Sequence, residues 1–141
     1  MIVHFPSALF PVDLLFSAAA LYFPANSLEL AGYYALLAGV AGGWIALLTG
    51  LLDFFLRLLK HGSHAVSRGL LHAGVQSVML IGFTVVLSLE YHHAEYITAP
   101  PVWLWITKGL LLGCLIYGNY LGGDLLLKYI AKEFDAGNNP S

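Results

Sequence analysis

The sequence predicts an all-α membrane protein, four transmembrane helices in a single up-down-up-down bundle. Three observations lead there. Asp, Glu, Lys and Arg make up 10% of the 141 residues, where soluble domains carry about 25%, so the chain has too few charges to coat a water-facing surface. Hydrophobic residues make up 59% and gather into four runs of the length that crosses a hydrocarbon core, about 20 residues. Between the runs lie short breaker clusters, Pro24-Ala25-Asn26-Ser27, Lys60-His61-Gly62-Ser63 and Ala99-Pro100-Pro101, whose residue types stop or start helices.

The first span covers residues 5–23 and holds one charge, Asp13. A cleaved signal peptide is the competing reading, but no basic residue precedes the run and it is longer than a signal core, so it is expected to stay with the protein. The second span, 30–52, has no charge at all. The third, 70–89, contains His72 but no formal charge, and the fourth, 102–123, carries Lys108 alone. A short polar C-terminal tail, 124–141, is expected to follow, and residues 1–141 read as one transmembrane domain.

With four spans, both termini and the central loop share a side. That side collects Arg57, Lys60, Arg68, Lys128 and Lys132, against Lys108 alone on the other. The positive-inside rule then puts both termini in the cytoplasm and makes Tyr91, Tyr96, Trp103 and Trp105 an outer aromatic belt. A net charge of −2 with six Lys and Arg cannot build a phosphate-binding face, which excludes nucleic acid. Cys114 is a lone cysteine in an apolar run, so there is no disulfide framework. No nucleophile elbow, phosphate-binding loop or metalloprotease motif is present, and a stand-alone enzyme is not expected.

Small residues form stripes. Gly39, Gly43, Ala46 and Gly50 share a face of the second span; Gly109 and Gly113, followed by Tyr117, Tyr120 and Asp124, do so on the fourth, with Gly118 and Gly122 as a second pair. In lipid, close helix approach relies on such faces. They are expected to pack the bundle or join a second copy in a homo-oligomer; the sharper reading is room for a flat macrocycle.

An ionisable residue inside a span costs roughly 2.5–3.5 kcal/mol, so each one needs a reason. His4, His72, Asp53 and Asp124 fall near one membrane face, one per helix, and Gln76, Met79 and Phe83 continue the His72 face inward. Two imidazoles at one depth can hold a haem iron axially, with Arg57, Lys60 or Arg68 available for propionates. The alternative is a structural or proton-relaying cluster of His with Asp13, Asp53, Gln76 and Asp124. Asp13 sits mid-span on the face opposite His4 and could pair with Lys108, unless that lysine snorkels outward. His61 and His64, and His92 and His93, are expected to be solvated loop residues, since neither group completes a zinc set.

The combination of His4-Phe5-Pro6 with Asp13, Gly50-Leu51-Leu52-Asp53, His72, and Tyr120-Leu121-Gly122-Gly123-Asp124 resembles the bacterial membrane family known as domain of unknown function 2231, over nearly the whole chain. The resemblance implies a four-helix protein of the bacterial inner membrane. Some members are fused to Rieske-type iron-sulfur domains, which implies a redox setting. This chain departs from the pattern with Gln76 where an Asn is expected, and it has no fused soluble domain, so any redox partner would be a separate protein. Two function classes follow: a b-type haem electron carrier with His4 and His72 as iron ligands, or a non-catalytic scaffold or partner subunit in the lipid bilayer.

Overall fold

A computed structural model describes residues 4–23, 26–56, 63–94 and 101–138. They form four helices, α1 (His4–Tyr22), α2 (Asn26–Leu56), α3 (Ser63–Ala94) and α4 (Val102–Asn138), and no strand occurs among the described residues. All four expected spans are helical. The last three extend past their apolar runs, because apolar composition marks the hydrocarbon crossing while backbone hydrogen bonding continues to the next breaker. The segment read as a polar tail from 124 is one such extension: α4 continues to Asn138 through helix-forming Leu, Lys, Ala and Glu.

Apolar stretches of 30, 26 and 23 residues in α2, α3 and α4 are long enough to cross a membrane. In α1 the apolar stretch is the shorter Pro6–Tyr22, near the lower limit for a spanning helix. Pro11 lies inside α1 and the helix runs through it.

The helices pack in a ring, α1 on α2, α2 on α3, α3 on α4 and α4 back on α1. Side chains at steps of four and three line the interior, the spacing of a bundle seam: Phe10, Asp13 and Ser17 on α1; His72, Gln76, Met79, Phe83, Val86 and Glu90 on α3; Leu104, Lys108, Leu111, Leu115, Gly118 and Gly122 on α4. Phe10 and Phe83 reach across the diagonal and stack, with centroids 4.1 Å apart and planes 15° from parallel. With Leu36, Val40, Met79, Leu80, Val86, Leu104 and Leu115 they make the buried core. Trp44 Nε1 donates to Thr84 Oγ1 at 3.2 Å, tying α2 to α3.

The α2 glycine face packs as expected over most of its length. Ideal Cβ atoms would meet Phe10 at 3.1 Å from Gly39 and Leu80 at 2.6 Å from Gly43, and the adjoining Gly42 abuts Pro6. Gly50 has nothing within 4 Å. On α4 the packed pair is Gly118 and Gly122, while Gly109 and Gly113 face open space. The reason is register: Gly118 and Gly122 continue the Lys108–Leu111–Leu115 line, and Gly109 and Gly113 lie on the adjacent outer face.

Candidate functional site

The end of the bundle where α3 begins and α4 runs on towards Asn138 is called the near end below, and the opposite end, where α3 finishes and α4 begins, the far end. A buried charge centre lies towards the far end. Lys108 Nζ is 2.9 Å from Asp13 Oδ1, 2.8 Å from Asp13 Oδ2 and 2.5 Å from Glu90 Oε1. Ser17 Oγ, one turn beyond Asp13, donates to Asp13 Oδ1 at 3.3 Å. The side chains of Asp13 and Lys108 are 1% and 4% exposed and that of Glu90 14%. Oδ1 accepts the hydrogen bond from Lys108; Oδ2 is buried with no hydrogen-bond partner, so Nζ holds it by charge alone.

Each helix contributes. Asp13 comes from α1, Glu90 from α3 and Lys108 from α4, while α2 supplies the absence of a side chain: a Cβ on Gly32 would stand 3.3 Å from both Asp13 Oδ1 and Ser17 Oγ. Three carboxylate oxygens lie within ion-pair distance of Nζ, which compensates the desolvation of the ammonium.

The lysine therefore turns inward to Asp13 and does not snorkel. Sequence reasoning missed two members of the centre. Glu90 adjoins the His92-His93 pair in the sequence and lies just past the apolar run 70–89, yet it extends the four-three stripe from His72 through Val86. Gly32 was passed over although it lies one heptad before Gly39 on the α2 face.

A second set of polar contacts joins α3 to α4 towards the near end, one turn apart on α3. Arg68 bonds Asp124 Oδ2 at 2.6 Å, His72 Nδ1 lies 2.8 Å from the Gly118 carbonyl oxygen, and Gln76 Nε2 donates to Asn119 Oδ1 at 3.0 Å. A carbonyl only accepts, so Nδ1 carries the hydrogen and the neutral ring keeps its lone pair on Nε2. The ring occupies the space a side chain at Gly122 would need, since a Cβ there would stand 2.8 Å from Cε1. Arg68 and Asp124 are 54% and 33% exposed, and an ion pair in such surroundings contributes little stability. Asn119 was not singled out in the sequence, where nothing distinguishes it from a lipid-facing amide.

Asp13 belongs to the far-end centre; Gln76 and Asp124 bond to Asn119 and Arg68; Asp53 is exposed near the end of α2. His4 opens α1, and its side chain lies outside the described residues, as does that of His64. Arg57, Lys60 and His61 lie outside them altogether, and the side chains of His92 and His93 are not described. Pro6 abuts Gly42 and Gly43 meets Leu80, so α1 starts near the level of Leu80, about 12 Å along α3 from His72. Among the described residues no three His, Cys, Asp or Glu side chains form a metal-holding group.

A family model described as "Predicted membrane protein (DUF2231)" matches residues 1–132. No curated protein and no solved structure matches the chain.

Proposed function

The chain belongs to the DUF2231 family of predicted membrane proteins, and on that premise we propose that it is a non-catalytic subunit of the bacterial inner membrane, built to offer a membrane partner one rigid four-helix surface. The observation that carries this reading is the Asp13–Lys108–Glu90 centre, which ties three helices through charge and fits the fourth through Gly32. Hydrophobic force does not draw helices together in lipid, so a directional lock of this kind supplies what solvent would otherwise provide. The apolar core between the two polar ends favours a structural role for them over proton relay across the bundle. The Lys/Arg distribution supports cytoplasmic termini. Tagged at its native level and extracted in mild detergent, the chain should migrate on a native gel in a discrete assembly larger than one copy, with a redox protein, another membrane protein or a second copy. Migration as a single chain alone would overturn the subunit reading.

One observation favours a second reading, a b-type haem electron carrier. A metal-binding histidine commonly donates its other ring N–H to a backbone carbonyl, and His72 bonds Gly118 in this way, leaving Nε2 as the ligating nitrogen. His72 and His4 would hold the iron, and the haem would supply one-electron redox chemistry. Protein purified with ample haem supply should then show a Soret band that shifts on dithionite reduction, and His72→Ala should abolish it or convert it to high spin. A colourless parent protein removes this reading and leaves the first.

A further inference from the structure

We infer that the near end of the bundle holds a binding slot for the ring of a membrane-soluble quinol, set among Gly50, His72, Gln76 and Asn119 in the space below the start of α1. The slot follows from unequal helix lengths. α1 begins at His4, near the level of Leu80, while α2 and α4 run on to Leu56 and Asn138. From Leu80 to Arg68 on α3 is about 18 Å, and over most of that rise α1 does not stand between α2 and α4. Among the described residues those two helices do not pack on each other, so one quarter of the bundle is left open there.

Register shows what faces that quarter. Gly50 lies about three turns beyond Gly39 and about five beyond Gly32 on α2. Those two are buried against α1, whereas Gly50 is exposed and no described atom stands within 4 Å of an added Cβ. Asn119 lies about three turns beyond Lys108, which meets α1 through Asp13, and it too is exposed. The level is shared: Gly43 meets Leu80, and an equal rise from each towards the near end reaches Gly50 on α2 and the stretch between His72 and Gln76 on α3, where Gly118 and Gly122 of α4 also pack.

The lining selects the guest. His72 Nε2 keeps a lone pair, and the bond between the two amides leaves Gln76 Oε1 to accept and Asn119 Nδ2 to donate. Lipid tails would leave all three unmet, which is costly in hydrocarbon. The three groups are neutral, and Gln76 lies about 12 Å inward of Arg68, a depth at which a charged phosphate headgroup is expensive. A quinol is uncharged and carries two hydroxyls at opposite edges of its ring, each able to donate and to accept. One donates to His72 Nε2 and the other takes the Asn119 hydrogen, while the flat ring lies against the bare backbone of Gly50. Its prenyl tail leaves by the side that α1 does not cover. No covalent bond forms or breaks on binding.

Calorimetric titration of the full chain in detergent with decylubiquinol should show saturable binding that neither dodecane nor dioctanoylglycerol reproduces. Gly50→Leu fills the slot and should weaken binding about tenfold or more, with the unfolding midpoint unchanged. Asn119→Leu removes one donor and should weaken it by a smaller factor. Gly109→Leu, on the outer face of α4, should bind as the parent does. No saturable binding, parent-like affinity in Gly50→Leu, or equal binding of dioctanoylglycerol would overturn the inference. A Soret band in the parent protein that His72→Ala removes would assign Nε2 to iron and overturn it as well.

Discussion

Lys108→Met is expected to cost about 3–5 kcal/mol, the range for breaking a buried ion pair from one side, and Asp13→Asn to cost far less. The difference follows from charge balance. Removing the ammonium leaves the Asp13 carboxylate with only the Ser17 hydroxyl, and Asp13 has no route to solvent. Removing the Asp13 charge instead leaves Lys108 with Glu90, a neutral pair, and the asparagine oxygen can still accept from Nζ. That variant should lose about 1–2 kcal/mol, the order of one weakened buried hydrogen bond. The triple variant Asp13→Asn, Lys108→Met, Glu90→Gln, which carries no charge at all, should recover much of the Lys108→Met loss. Reversible unfolding in detergent micelles measures all three. If Asp13→Asn proves as damaging as Lys108→Met, the buried Asp13 charge is not what the lysine balances.

Gly32→Leu should lower the unfolding midpoint by several degrees, while Gly50→Leu on the same helix should leave it unchanged. At Gly32 the first added carbon already stands 3.3 Å from the Asp13 carboxylate, closer than ordinary contact, and the branches of leucine would need the volume the carboxylate fills. Either α1 withdraws from α2 or Asp13 is pushed off Nζ. Overpacking of this kind costs about 1–3 kcal/mol, and a displaced carboxylate adds to it. At Gly50 no described atom stands within 4 Å of an added Cβ, so leucine displaces nothing there. Equal shifts for the two variants would show that general helix bulk, and not the charge centre, sets the response.

Composition and run length sufficed for four helices, because the bilayer imposes one length and one backbone solution on every spanning segment. They located Asp13, Lys108 and His72 as residues needing partners. Asp13 and Lys108 proved to be each other's, whereas His72 is satisfied by a backbone carbonyl, and a sequence does not display carbonyls. Glu90 escaped notice because it borders the outer histidine pair, although a stripe followed to its end would have included it. The choice of Gly118 and Gly122 over Gly109 and Gly113 depended on helix rotation. Both pairs have the same spacing, and only the line through Lys108 tells them apart.

The short α1 bears on how the protein sits among lipids. At 19 residues it is about 28 Å long, and its packing partner α2, at 31 residues, about 46 Å. Two adjacent rods so unequal cannot both stand upright and match one hydrocarbon slab. The bilayer must thin beside α1, or the bundle must lean so that α2 uses its length obliquely, and each ångström of mismatch costs a fraction of a kcal/mol. Either response biases the protein towards thinner patches of membrane, so acyl-chain length becomes a variable that selects where it resides.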